Sequence, residues 1–148
     1  SFSSTVVSPR KFIQSDAELS QKADGDINYP AIRYAEVLLW EAEALVELGR
    51  TQEALVPLEA VRARARAQAT GTNVLPEITS MDQNTVREAI RKERKVELGY
   101  ELHRFFDLVR WGIADDLLPG FQVGKHEVFP LPQTEIDLNP FLSQNNGY

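Results

Sequence analysis

Two stretches in the first half of the chain have the apolar spacing of amphipathic helices. Residues 31–48 place apolar side chains three and four positions apart, which predicts a helix with one wide apolar face. The inward positions are Ile32, Ala35, Leu38, Leu39, Ala42, Leu45 and Val46. Gly49 follows directly, where a left-handed C-cap is expected. Residues 52–69 predict an antiparallel second helix with Thr51 as its N-cap and a kink at Pro57. Its inward positions are Ala54, Leu55, Leu58, Val61 and Ala65.

The second half predicts further helix and then a tail. Residues 82–100 predict a third helix, with Asp82, Ser80 or Asn84 as its cap. Residues 101–116 predict a fourth helical segment, or a continuation of the third helix after a break at Gly99, and Gly112 is expected to end its regular part. Residues 117–148 contain too many prolines and glycines for a helix. The tail is also too apolar for disorder, so it is predicted to be extended and packed on the helices. Its apolar residues are Val128, Phe129, Leu131, Ile136, Leu138, Phe141 and Leu142.

The predicted fold class is therefore all-α. Residues 42–55 (AEALVELGRTQEAL) resemble a tetratricopeptide (TPR) hairpin, in which small alanines allow two helices to approach closely. The pattern covers about one repeat, which cannot bury its own apolar face and must pack on other helices. Residues 1–28 are predicted to be irregular, with a turn at residues 24–26. Residues 29–148 are predicted to form one helical domain.

Composition excludes several classes of function. The formal net charge is −6 and the sequence pI is about 5.0, which makes nucleic acid an unfavourable partner. The chain has no cysteine, which removes disulfides, thiolate nucleophiles and cysteine zinc sites. It also has no apolar run of about 18 residues, so no membrane span is predicted.

Three glutamates at four-residue intervals form the densest candidate site. Glu93, Glu97 and Glu101 are predicted to line one helix face, with His103 nearby. A carboxylate–histidine metal site is one interpretation, but the Glu-x-x-His spacing and the second helix that such sites use are missing. The favoured interpretation is ion pairing among a charged set, with no metal bound. That set is Glu93, Arg94, Glu97, Arg104 and Asp107.

No catalytic or cofactor-binding residues are predicted. There is no Gly-x-Ser-x-Gly turn, no phosphate loop and no matched carboxylate pair, and the two histidines are His103 and His126. Three arginines of the second helix are expected to be solvated or to form local ion pairs, namely Arg62, Arg64 and Arg66. Four aromatic residues are expected in the core, namely Trp40, Phe105, Phe106 and Trp111. Phe121 and Tyr148, in the tail, are of a type that could stack on a sugar ring.

Three blocks, taken in order, resemble the SusD/RagB family of outer-membrane nutrient-binding lipoproteins. The first is residues 29–39 (YPAIRYAEVLL) with 42–44 (AEA). The second is residues 90–94 (IRKER) with 97–98 (EL), 103–108 (HRFFDL) and 110–112 (RWG). The third is residues 129–133 (FPLPQ) with 135–136 (EI), 139–140 (NP), 144–145 (QN) and 147–148 (GY). The resemblance covers residues 29–148, and it identifies the chain as the C-terminal portion of such a protein.

The resemblance implies a non-enzymatic, glycan-binding accessory on the cell surface. Family members are held at the outer membrane by a lipid anchor, which this sequence lacks, and act with a SusC-type TonB-dependent transporter. They bind glycans, whether oligosaccharides or polysaccharides, and sometimes other nutrients. The family's motif residues are expected to form a structural network here, and the resemblance assigns no ligand-binding residue. That network is Arg94, Glu97, Arg104, Asp107, Arg110 and Trp111.

Two other functions are kept open. The hairpin of residues 42–55 also fits a TPR-type protein-interaction module, which would bind a peptide independently of a transporter. A sugar hydrolase is the third possibility, and only the acidic residues and the glycan context favour it. The sequence names neither the glycan nor the oligomeric state.

Overall fold

Helices separated by turns and loops are the only regular secondary structure in the described part of the chain. A computed structural model describes residues 11, 12, 14, 27–72 and 74–148. Its helices are α1 (Tyr34–Glu47), α2 (Thr51–Ala67), α3 (Gln83–Glu97), α4 (Arg104–Arg110), α5 (Ala114–Leu117) and α6 (Gln133–Leu138). These residues contain no strand, which confirms the all-α class. The predicted turn at residues 24–26 lies outside the described residues. The chain divides into two compact units, Ser1–Leu102 and His103–Tyr148.

A glycine turn joins α1 to α2 in the first unit. Gly49 has a φ of 75°, its N–H donates to the Val46 carbonyl at 3.0 Å, and the Arg50 N–H donates to Leu45 at 2.9 Å. This is the Schellman pattern, so the prediction for Gly49 is confirmed. The predicted N-cap was wrong. Thr51 is the first residue inside α2, where it is buried, and the cap position belongs to Arg50.

The apolar faces of α1, α2 and α3 meet in one core. Helix α1 packs against both α2 and α3, and α2 also packs against α3. The buried core residues are Leu39, Ala42, Val46, Ala54, Leu58, Val61, Val86, Ile90 and Leu98. The predicted inward faces of α1 and α2 are confirmed except at two positions: Ile32 precedes α1 and is exposed, and Ala65 is half-buried outside the core cluster. Helix α2 continues through Pro57, whose ring is buried.

Helix α3 begins at a side-chain cap and ends earlier than its periodicity predicts. The Asp82 carboxylate accepts the Thr85 N–H at 2.7 Å, which confirms Asp82 as the cap. The helix ends at Glu97, and a turn follows in which Tyr100 and Leu102 both have a φ of 65°. Glu101 therefore lies in this turn and not on the α3 surface, so the predicted shared helix face was wrong for Glu101.

The second unit contains short helices between turns. Gly112 has a φ of 66° and closes α4, as predicted, while α5 forms a separate turn of helix. The prediction of a tail without helix was wrong, because α6 lies within it. Pro132 is the N-cap of α6, and Pro140 comes after its C-cap. Both prolines therefore flank the helix, where a missing N–H costs no helical hydrogen bond.

Side-chain amides hold the tail in place. Gln144 forms two hydrogen bonds with the Leu131 peptide, accepting from its N–H at 2.8 Å and donating to its carbonyl at 2.9 Å. Asn145 donates to the Phe129 carbonyl at 2.6 Å, and Asn146 to the Gly124 carbonyl at 3.3 Å. We call Gln144, Asn145 and Asn146 the amide clamp. It joins residues 144–146 to residues 124–131 through hydrogen bonds between side-chain amides and backbone groups.

The predicted apolar anchoring of the tail is only partly correct. The centre of the Phe105 ring of α4 lies 6.3 Å from the centre of the Phe121 ring and 6.5 Å from that of the Phe129 ring. The tail therefore does contact a helix. Most apolar residues of the tail nevertheless remain exposed within this chain. These are Val128, Phe129, Leu138, Phe141 and Leu142. The hydrogen bonds of the amide clamp therefore hold together parts of the tail that were expected to be held by apolar burial.

Replacing Gln144 with alanine is expected to loosen the tail. The substitution removes both bonds to the Leu131 peptide, and we expect the local free energy of opening to fall by about 1 kcal/mol. Amide hydrogen exchange at Leu131 measures this directly. Gln133→Ala is the matched control, because Gln133 bonds only to the exposed Asp137 within α6. Equal exchange rates at Leu131 in the two variants would contradict the role of the clamp.

Candidate functional site

The three glutamates of the candidate site each bind arginines from another part of the chain. Glu93 accepts a hydrogen bond from Arg62 of α2 at 2.8 Å. Glu97 accepts from Arg33 at 3.0 Å and from Arg64 at 2.7 Å. Arg33 also pairs with Glu101, so these ion pairs tie α3 and the turn after it to α2 and to the N-cap of α1.

Glu101 is the most enclosed member of this group. Its side chain is 2% exposed, and its carboxylate accepts from Arg33 at 2.7 and 2.9 Å and also from Lys11. The Tyr29 hydroxyl donates to the Glu101 backbone carbonyl at 3.1 Å. Arg33 thus presents a planar fork to two carboxylates at once, which is the geometry that favours arginine over lysine.

These contacts fix the protonation state of Glu101. Burial acts to raise the pKa of its carboxyl group, but the hydrogen bonds from Arg33 and Lys11 more than offset this effect, and the net pKa is lower than the ordinary value of 4.5. A carboxyl group with a lowered pKa is ionised at neutral pH and poorly suited to act as a general acid. The chemistry of this group is that of a structural ion-pair cluster.

Acid is therefore expected to destabilise the first unit. Because the folded state lowers the pKa of Glu101, the stabilisation is fully present above pH 4.5 and is lost as the pH falls through the folded pKa. Urea unfolding at pH 7 and at pH 3.5 should show a lower midpoint in acid. Glu101→Gln should reduce this pH dependence. An unchanged pH dependence in the Glu101→Gln protein would contradict the assignment.

Glu93 and Glu97 do form ion pairs, but the partners seen for them, Arg62, Arg33 and Arg64, lie outside the predicted set. Arg62 was predicted to be solvated or locally paired, and this was wrong, since it is largely buried and binds Glu93 of α3. Arg64 is exposed, as predicted, but it also binds the distant Glu97. Arg66 also forms an ion pair, with Glu59 at 2.6 Å. No three potential metal ligands converge among the described residues.

The family network residues lie in both units, and their exposure ranges from buried at Arg94 and Asp107 to exposed at Arg110. Arg94 is buried in α3, 3.8 Å from the Glu36 carboxylate of α1. In the second unit Asp107 is buried and accepts from Arg110 at 2.9 and 3.0 Å. The guanidinium groups of Arg104 and Arg110 lie 5.9 and 4.9 Å from the Trp111 ring centre. These contacts are those of a structural network.

A second candidate site is a pocket of about 350 Å³ in the second unit. Phe121 and Tyr148, which are 27 positions apart in sequence, both line it, together with Phe105, His126 and Phe129. We call these five residues the aromatic pocket. Of the four aromatic residues predicted to lie in the core, Trp40 and Phe106 are exposed, so the prediction was wrong for these two. The sequence indicated the aromatic character of the tail but not which rings would converge.

The rings of the aromatic pocket are in contact with one another. The ring centres of Phe121 and His126 are 5.8 Å apart, and those of His126 and Tyr148 are 6.5 Å apart. The His126 Nδ1 accepts the Gln122 N–H at 3.0 Å, so the proton of the neutral imidazole is on Nε2. The Lys125 ammonium group lies 4.9 Å from the Tyr148 ring centre. The pocket therefore combines apolar ring surfaces with polar groups.

A TPR-like hairpin and internal ion pairs in the first unit, and short helices with an aromatic pocket in the second, define an all-helical scaffold. The sequence model of the SusD family matches residues 1–127. The chain belongs to the SusD family, whose members are known as glycan-binding accessory proteins. The match begins before the first of the three resembling blocks and ends before the third.

Individual relatives agree with this assignment. The chain is 35% identical over 147 residues to SusD-like protein P25 of Formosa agariphila, covering 90% of this chain and 27% of that protein. It is 33% identical over 135 residues to SusD-like protein P2 of the same organism, covering 84% and 27%. The chain thus spans about a quarter of the length of these curated relatives.

Solved structures agree on the fold. A SusD homologue from Bacteroides thetaiotaomicron superimposes with a TM-score of 0.66 at 37% identity, covering 79% of this chain and 26% of that one. A SusD-like protein from Bacteroides fragilis gives a TM-score of 0.65 at 30% identity, covering 82% and 26%. The SusD family is associated with the outer-membrane surface. None of the helices described for this chain has the length and hydropathy needed to cross a bilayer.

Proposed function

We propose that this chain acts as part of a non-enzymatic glycan-binding accessory of a TonB-dependent outer-membrane transporter. In this role the protein is held at the cell surface by a lipid anchor and delivers oligosaccharide or polysaccharide to a SusC-type partner. The observation that carries the proposal is the family match over residues 1–127. The similarity to two SusD-like proteins at 33% and 35% identity supports it independently.

The state of the carboxylates supports a binding role over hydrolysis. A glycosidase needs one carboxyl group that holds a proton and a second that is free to act as base or nucleophile. Here Glu93, Glu97 and Glu101 are each engaged by arginine, and the pKa of Glu101 is lowered. Such groups favour a scaffold in which charge stabilises the fold.

Glycan binding can be tested with the protein as its native cell produces it. Immobilised polysaccharides of different linkage, including α-glucan, β-glucan, xylan and pectin, are screened for retention of the protein. We expect retention on at least one of them. Failure on every polysaccharide, together with binding to peptides, would contradict the glycan part of the proposal.

The transporter partner requires a separate experiment. A tagged copy of the protein is recovered from detergent-solubilised outer membranes, and the co-purified proteins are identified by mass spectrometry. We expect a TonB-dependent transporter in stoichiometric amount. Recovery of the protein without a transporter would contradict the partnership, but it would not contradict the proposal of glycan binding.

A protein-interaction module remains a second candidate, because α1 and α2 form an open apolar groove. Two hollows of about 420 and 460 Å³ adjoin along these helices and share Leu38 and Ala60. An amphipathic helix of a partner would fit such a groove. Val56→Glu should then abolish partner capture, whereas Val96→Glu, on α3 and similarly exposed, should not. Equal capture by both variants would argue against the groove.

A further inference from the structure

The aromatic pocket has features that a purely structural cluster does not need. The Phe129 side chain is 74% exposed and Tyr148 is 46% exposed, although both line the pocket. Aromatic rings that serve only packing bury most of their surface, because burial is the source of their stabilisation. These two rings instead present much of their surface to solvent beside a cavity.

We propose that the aromatic pocket binds one pyranose ring of a glycan by stacking on Phe129 and Tyr148, with His126 donating a hydrogen bond to a sugar hydroxyl. This inference rests on the proposed glycan-binding function and adds a site to it. The C–H groups on one face of a pyranose are apolar and slightly positive, so they complement the negative face of an aromatic ring. A volume of about 350 Å³ lies within the range of small-ligand pockets.

The backbone beneath the two exposed rings is fixed before any ligand arrives. Asn145 of the amide clamp donates to the Phe129 carbonyl at 2.6 Å. The Tyr148 hydroxyl donates to the Val128 carbonyl at 3.0 Å, so its ring is anchored at both ends. A preorganised platform loses little conformational entropy on binding, which favours affinity.

His126 supplies the polar contact that a sugar requires. Its Nδ1 is occupied by the Gln122 N–H, which leaves Nε2–H as the donor of the neutral ring. A hydroxyl group can accept this hydrogen bond while the ring carbons stack on the aromatic surfaces. The pocket therefore offers both kinds of contact that distinguish a sugar ligand from a purely apolar one.

The test is a titration of the ¹⁵N-labelled 148-residue chain followed by NMR. The probes are maltohexaose, cellohexaose, xylohexaose and hexagalacturonic acid. We expect at least one to shift the amide signals of residues 118–131 and Tyr148. Phe129→Ala should weaken that binding by about tenfold, because it removes a stacking surface. Phe129→Leu should also weaken it, whereas Phe129→Trp should retain it.

Phe141→Ala is the matched control. Phe141 is in the same tail and 94% exposed, but it does not line the pocket, so this variant should bind as the unaltered chain does. The amide spectrum of each variant reports whether it is folded, and the Phe129→Trp variant keeps the test decisive if alanine disturbs the tail. Binding that is equal in the Phe129→Ala and Phe141→Ala chains, or that maps elsewhere, would overturn the pocket and leave the glycan function standing.

The absence of any shift with all four probes would also overturn the pocket. The proposed function is judged separately, by the retention of the natively produced protein on polysaccharides. A protein retained on polysaccharide whose isolated chain binds no oligosaccharide would place the glycan site elsewhere. A protein that fails both tests would contradict the proposed function as well.

Discussion

Leu39→Ala is expected to lower the free energy of unfolding of the first unit by about 3 kcal/mol, since it leaves a cavity in a close-packed core. Leu39 is completely buried, in the α1 face that packs against both α2 and α3. Urea unfolding followed by far-UV circular dichroism at pH 7 gives the change. It should appear as a lower midpoint with an unchanged slope.

Leu48→Ala is the matched control for this substitution. Leu48 is the exposed C-cap residue of α1, so removing its side chain creates no cavity and should change stability by less than about 0.5 kcal/mol. Similar midpoints for the Leu39 and Leu48 variants would mean that the three helices do not form the core described above.

Arg33→Ala is expected to have the second-largest effect, about 2 kcal/mol of lost stability. Removing Arg33 leaves Glu101 buried beside Lys11 alone and takes one partner from Glu97. Breaking a fully buried pair costs about 3–5 kcal/mol, but the Arg33 side chain is 26% exposed, so solvent screens part of the interaction. Urea unfolding at pH 7 measures the loss.

Two variants separate this effect from a general loss of charge. Arg50→Ala removes an arginine whose partner, Glu53, is exposed, and its effect should be much smaller. Arg33→Lys keeps the charge but not the planar fork, so it should recover only part of the stability. If Arg50→Ala proves as destabilising as Arg33→Ala, Glu101 is not held in the way that the structure describes.

The helices of the first unit could be predicted because their signals are local. Periodic apolar positions located α1 and α2, and Asp82 marked the start of α3 through its own side chain. Gly49 marked the turn because only glycine readily adopts its positive φ. Each of these features depends on residues within a few positions of one another.

The errors arose where the outcome depends on distant residues or on the exact place of a proline. The prolines and glycines of the tail predict that it contains no helix, yet proline disfavours only a helix interior, and α6 fits between Pro132 and Pro140. A spacing of two scatters side chains around a helix, so it predicts that Arg62 and Arg64 are solvated or form only local ion pairs. Their partners on α3 are 31 and 33 positions away, which no local pattern reveals.

The aromatic pocket was predictable in composition and not in geometry. The tail residues Phe121 and Tyr148 were recognisable as candidates for stacking on a sugar. Their convergence depends on the amide clamp, in which Gln144 and Asn145 bond to backbone groups 13 and 16 positions away. Side-chain bonds to distant backbone leave no periodic trace in the sequence.

The central claim is that the protein binds glycan without cleaving it. The most direct test is to measure over time whether a polysaccharide that retains the protein is hydrolysed. The natively produced protein is incubated with the polysaccharide that binds it best, and both bound protein and newly formed reducing ends are measured in the same samples. If the protein binds without catalysis, we expect saturable retention of the protein and no increase in reducing ends over a day. A steady release of reducing ends that purifies with the protein would contradict the account and establish a hydrolase.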